Sequence, residues 1–132
     1  KRIDHDRLSR TYVFKTLIES GANLTFGSDW TVAPLNPVTG IYAAVTRRTR
    51  DGKNPHGWYP NEKISVEDAL RSYTINNAYA AFWENKTGTI TAGKYADFAV
   101  HSVNFLTATP KEILHSKVLR TVVAGKDYIF EK

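Results

Sequence analysis

Asn23-Leu24-Thr25-Phe26-Gly27-Ser28-Asp29-Trp30 is a short apolar run that stops at a glycine, a serine, an acid and a tryptophan. With no long polar alternation, residues 23–26 are predicted to form a central, two-sided strand of the kind found in parallel sheets. What lies on either side decides the fold. Upstream, between Asp6 and Gly21, Tyr12, Val13, Phe14, Leu17 and Ile18 fall near helical spacing. Ser9 is placed to cap the start of that helix, and Gly21 suits a left-handed C-cap. Downstream, Asn36-Pro37 pairs a capping residue with proline at the first helical position, and Val38, Ile41, Tyr42 and Val45 share one face. Helix, strand, loop, helix is the order of an α/β layered or barrel fold.

Residues 49–63 are rich in Gly, Pro, Asn and charge, with Asp51-Gly52, Asn54-Pro55 and Tyr59-Pro60 as turn signals. They read as a surface excursion of the kind that often borders a site. Ser65-Val66-Glu67-Asp68 opens another helix with a capping serine and an acid at the third position. Its apolar and small residues continue through Ala69, Leu70, Tyr73, Ala78, Ala81 and Phe82, with a break expected over residues 74–77, a run of weak helix formers. After Gly88 the pattern turns to strands at 89–90, 97–103, 118–124 and 128–130, with a hairpin turn at Gly125-Lys126 and one helical turn over 110–115. The chain therefore divides into an α/β part, 1–87, and a mostly β part, 88–132.

At 132 residues, 42% hydrophobic and 12% aromatic, the chain is the size and composition of one folded domain. No window approaches the roughly 18 apolar residues of a membrane span, and no apolar segment follows the basic N-terminus, so no signal peptide is visible. The chain is read as soluble with no membrane partner, and its compartment is left open. Zero cysteines exclude a disulfide framework and any thiolate ligand or nucleophile. Starting at Lys1 and holding no methionine, the chain is expected to be a piece of something longer. The net charge of +5 gathers at the two ends and over residues 47–53.

An acid just past a strand end sits where functional groups collect in α/β sheets and barrels. Equally, Asp29 or Ser28 can simply cap a turn, and from the residues alone both readings stand. Of His5, His56, His101 and His115, no two have metal-ligand spacing. His101 alternates with Phe98 and Val100 and fits either a surface or a satisfied core position. Arg47-Arg48-Thr49-Arg50 closes a helix, where cations complement the dipole, and reads as a solvated face. It has no interleaved aromatics and no nucleic-acid reading module, so a nucleic-acid partner is not expected. No glycine-rich phosphate loop and no nucleophile elbow is present.

Gly27-Ser28-Asp29-Trp30, followed by Pro34-Leu35-Asn36-Pro37 and a helix ending Ala44-Val45-Thr46-Arg47-Arg48, resembles the amidohydrolase superfamily. More narrowly it is similar to the branch of metal-dependent TIM-barrel hydrolases sometimes labelled exoenzyme regulatory proteins. Matching segments follow in order: Glu67-Asp68-Ala69-Leu70-Arg71-Ser72-Tyr73-Thr74-Ile75-Asn76 with Ala78, Gly88-Thr89-Ile90 through Gly93-Lys94-Tyr95-Ala96-Asp97-Phe98, and Thr121-Val122-Val123-Ala124-Gly125-Lys126. Together they cover nearly the whole chain.

The resemblance implies that 1–87 is the terminal part of a (β/α)8 barrel and 88–132 belongs to a small composite β domain of sandwich type. It also implies a parent protein that holds a divalent metal, zinc, and hydrolyses carbon-nitrogen bonds other than peptide bonds in small amides or cyclic amides. Asp29 matches the last metal ligand, the aspartate ending the eighth strand, which also takes the proton of the attacking water. Trp30, Arg48 and His56 are expected to border the substrate pocket. Arg2-Ile3-Asp4-His5 looks like the family's sixth-strand motif, but a βα unit needs about 30 residues and the interval to Asp29 holds one helix. His5 is therefore read as exposed N-terminal chain. Since a hydrolytic metal site needs about three protein ligands, the chain alone is expected to bind no metal, to be inactive, and to self-associate through faces left without neighbours. The alternative is a non-catalytic regulatory or binding module derived from an amidohydrolase.

Overall fold

A computed structural model describes residues 3–129. The single helix predicted before the central run is two: α1, His5–Leu8, and α2, Phe14–Glu19. Ser9 closes α1 instead of opening a longer helix. The reason lies in Tyr12 and Val13, whose backbones leave the helical region at φ 53° and at φ −82°, ψ 60°. Thr11, Tyr12 and Val13 are β-branched or aromatic and lose side-chain freedom in a helix, so this is where the helix gives way. Gly21 takes the expected left-handed φ of 88° just beyond α2.

Local capping chemistry sets the later helices where the sequence places them. The Asn36 side chain accepts from Val38 N at 3.0 Å, and Pro37 opens α3, Pro37–Thr46. Arg47 ends it in the left-handed conformation, φ 58°. A 3₁₀ turn, Pro60–Glu62, closes the surface excursion. Ser65 Oγ accepts from Asp68 N at 2.9 Å to start α4, Val66–Tyr73. Thr74, at φ −126° and ψ −94°, breaks the helix as expected, and α5 follows over Ile75–Ala80. Thr109 and Glu112 form a full capping box for α6, Pro110–Leu114.

Three strands form one antiparallel sheet in the order β1-β2-β3, namely Phe98–His101, Val118–Val123 and Lys126–Ile129. The hairpin turn is Ala124-Gly125, at φ 50° and 76°, one residue earlier than predicted. Both central residues have positive φ, the geometry that matches strand twist in a two-residue hairpin. Residues 89–90 form no strand, and Ile90 is 86% exposed. Phe130, at the end of the predicted last strand, lies outside the described residues.

The core joins α3, α4 and α6: Val38, Ile41 and Ala44 pack with Ile64, Ala69, Phe105 and Ile113. The predicted strand over 23–26 has no ladder partner among the described residues. Its backbone groups are met differently. Phe26 N donates to Ser72 O at 3.0 Å, while Asn76 Nδ2 and Asn77 Nδ2 donate to the carbonyls of Leu24 and Phe26 at 2.8 and 2.9 Å.

Candidate functional site

The tether just described fixes where Asp29 emerges. Phe26 is held edge-on between Phe14 and Tyr73, with ring centroids 5.1 and 5.5 Å away. Beyond Gly27, the Ser28 hydroxyl donates to Leu35 O at 2.8 Å, tying the segment to the approach to α3. Asp29 then takes φ 49°, a conformation that a short polar side chain tolerates better than a branched one. Its carbonyl accepts from Val32 N at 2.7 Å and Ala33 N at 3.3 Å. The turn is thus closed by a backbone carbonyl and the Ser28 hydroxyl. The Asp29 carboxylate is exposed and makes no hydrogen bond or ion pair among the described residues. A carboxylate that its own turn does not use is available for chemistry from outside it.

The other predicted site residues are scattered. Trp30 is 66% exposed, and Arg48 and His56 are exposed. Arg48 lies with Arg50 and Lys111 in a groove against α6, which Asp29, Trp30 and His56 do not line. A groove of about 660 Å³ between α5 and β1, lined by Tyr73, Trp83, Ile90 and Phe98, also leaves them out. Arg2 and the His5 side chain lie outside the described residues.

Arg47 corrects the reading of the arginine run as a solvated face. It is 9% exposed, with its guanidinium 5.3 Å from the centroid of Phe14 and 5.0 Å from that of Trp58, and its Nε donates to Trp58 O at 3.0 Å. Burial lowers its pKa, opposed by the charge of Glu62. Glu62 is in turn held below the usual carboxylate range by accepting from the Thr16 hydroxyl and backbone N, at 2.6 and 3.0 Å. Arg47 thus pins the excursion to α2, with Glu62 a second tie. The left-handed turn at Arg47 swings the chain back on itself, which helical spacing alone does not reveal.

A resident metal needs about three protein ligands. Among the described residues no group of three or more His, Asp or Glu is close enough to hold one. The residues present do not by themselves fit a metal, and Asp29 stands as a single donor.

Comparison with known proteins gives this arrangement a family. Residues 1–127 match the sequence model of the Amidohydrolase family. The chain belongs to the amidohydrolase family. This amidohydrolase chain is 40% identical over 127 residues to Protein LONG AFTER FAR-RED 3 of Arabidopsis thaliana, covering 96% of the chain and 21% of that protein. It is 30% identical over 131 residues to the putative amidohydrolase YtcJ of Bacillus subtilis (strain 168), covering 99% and 25%. With N-substituted formamide deformylase of Arthrobacter pascens it shares 29% over 116 residues, covering 88% and 21%. The fold is similar to the crystal structure of an amidohydrolase from Thermotoga maritima MSB8, with TM-score 0.66 at 24% identity over 91% of the chain and 26% of that structure. The mixture of helices and a small antiparallel sheet is therefore that of an amidohydrolase-family chain. It spans about a fifth to a quarter of the length of the curated relatives it matches. No described helix is long and apolar enough to cross a membrane.

Sequence reasoning missed Arg47, Asn76 and Asn77. The amide pair carried a readable signal, because two adjacent asparagines inside a helix are poor helix formers and need a reason to be there.

Proposed function

We infer that the whole protein is a metal-dependent amidohydrolase that hydrolyses non-peptide carbon-nitrogen bonds of small amides or cyclic amides, and that Asp29 is one of its metal ligands and its proton acceptor. Residues 1–87 would be the end of a (β/α)8 barrel, with 23–26 its last strand, and 88–132 part of a small β domain. The observation that carries the reading is the Asp29 carboxylate, left unused by the turn that presents it, in a chain of this family. Support for the substrate class comes from the relative named as an N-substituted formamide deformylase. The lack of a strand partner for 23–26 among the described residues fits a strand whose neighbours are supplied from elsewhere.

The remaining ligands would come from outside the described residues, so the chain alone is expected to be inactive. A divalent metal, zinc in this reading, supplies a water of lowered pKa. What this chain contributes is a carboxylate at a fixed turn and the bulk of Trp30 beside it.

The test is turnover of N-substituted formamides and cyclic amides by the intact protein, followed by amine release, with metal content measured in parallel. Asp29→Asn keeps the shape and removes the base, and is expected to lower turnover by about a hundredfold or more with an unchanged circular dichroism spectrum. Unchanged turnover would remove Asp29 from the mechanism.

A further inference from the structure

Between the C-terminal end of α3 and α6 lies a groove of about 350 Å³, at the scale of small-ligand sites, which run from about 300 to 1,000 Å³. Arg48, Arg50, Lys111 and His115 line it together with Tyr42, and no carboxylate does. None of Arg48, Arg50 and Lys111 has an ion-pair partner among the described residues. The acids nearest in sequence are occupied. Glu112 Oε2 accepts from the Thr109 hydroxyl and backbone N, both at 2.7 Å, and Asp51 takes Thr49 and Lys53. His115 Nδ1 lies 2.7 Å from the Lys111 carbonyl, which can only accept, so the proton is on Nδ1 and Nε2 remains unengaged.

A second observation is independent of charge. Tyr42 is one of the lining residues, 8% exposed overall, and its hydroxyl makes no hydrogen bond among the described residues while keeping contact with solvent. A hydroxyl not used inside the protein is free to donate to a ligand in the groove. Cations that line one groove repel one another unless a counter-charge sits between them. A ligand with several acceptor oxygens and more than one negative charge would supply that counter-charge and an acceptor for the hydroxyl.

We propose that this groove binds a phosphate-type anion, with Arg48, Arg50 and Lys111 supplying charge and the Tyr42 hydroxyl a further donor. Arginine is suited to the task because its fork donates two parallel bonds to adjacent phosphate oxygens. The groove's lining offers no exposed aromatic platform for bases. It does not depend on Asp29 or on the hydrolytic reading.

Calorimetric titration of the intact protein with inorganic phosphate and with pyrophosphate, at low ionic strength, tests the assignment. Saturable binding is expected, weakened about tenfold or more in Arg48→Gln/Arg50→Gln and several-fold in Tyr42→Phe, with thermal unfolding of each variant checked against the parent. Lys117→Gln removes one exposed cation outside the groove and is expected to leave binding unchanged. Absence of binding, or equal weakening by Lys117→Gln, would reduce the effect to net charge and overturn the proposal. So would a single-stranded oligonucleotide that outcompetes pyrophosphate at equal phosphate concentration. If the double arginine variant fails to fold, Lys111→Gln and Tyr42→Phe carry the same decision.

Discussion

Gly40 sits inside α3, where glycine costs roughly 1 kcal/mol relative to alanine. The packing explains why it stands there. A Cβ at Gly40 would run into the Tyr73 hydroxyl and lie 3.0 Å from its Cζ, so the bare backbone lets α4 close on α3. Overpacking a filled site typically costs about 1–3 kcal/mol, which outweighs the propensity gain. Gly40→Ala is accordingly expected to lower the urea midpoint, and Tyr73→Phe in the same background to restore part of it by removing the atom that clashes worst. A Gly40→Ala protein as stable as the parent would show that Tyr73 has room to move. The same attention to single atoms separates Arg47 from Arg48. One is caged by Phe14 and Trp58, and its neighbour lies in the groove beside α6.

Among elements, β1 carries a titratable joint. His101 follows the register shift after Val100, is half-buried, lies 4.6 Å from the Phe105 ring centroid, and has Nδ1 3.0 Å from Ser116 Oγ. Burial lowers its pKa, so the folded chain holds His101 neutral where the unfolded chain would protonate it. The sign follows from linkage: the stabilisation is complete above about 6.5, the ordinary histidine value, and is lost as pH falls through the lowered value. The engaged carboxylates Asp51, Glu62, Glu112 and Asp127 are all held below their ordinary range, so their contributions fade only in more acid solution. Denaturant midpoints measured from about pH 7.5 down to about pH 5.5 are expected to fall for the parent and stay level for His101→Gln. Parallel slopes would assign the acid sensitivity to another group. Element by element, the parts legible in the sequence were those decided locally. Asn36, Ser65 and the break at Thr74 announce themselves within a turn of where they act. Residues 23–26 are legible as an apolar run, but the donors that meet the Leu24 and Phe26 carbonyls, Asn76 and Asn77, lie 52 and 51 residues away, where no local pattern announces them. Asp29 was legible as a candidate through its position, whereas the Tyr42 groove required α6 to be folded against α3, a juxtaposition that no spacing encodes.

At the scale of the whole molecule, the described surface carries more bare apolar side chain than a lone domain needs. Val32 is 84%, Phe82 90% and Ile90 86% exposed, and the open groove of about 660 Å³ beside β1 is lined by Trp83, Ile90 and Phe98. Burying apolar surface yields about 25 cal/mol per Å², so such faces seek cover. Among the described residues, β1 and β3 each also leave one edge of the three-stranded sheet unpaired, a second route to association. Residues 1–132 expressed alone are therefore expected to self-associate, with a light-scattering mass that climbs with concentration. Phe82→Asp with Ile90→Asp, two changes at exposed positions, is expected to lower that mass without lowering helix content. On the proposed reading of the chain as part of a longer protein, co-expression with the rest of that protein is expected to compete for the same faces and suppress self-association. A clean monomer at high concentration would mean that these faces are stable in water as they stand, and would remove the physical ground for assigning them to an interface.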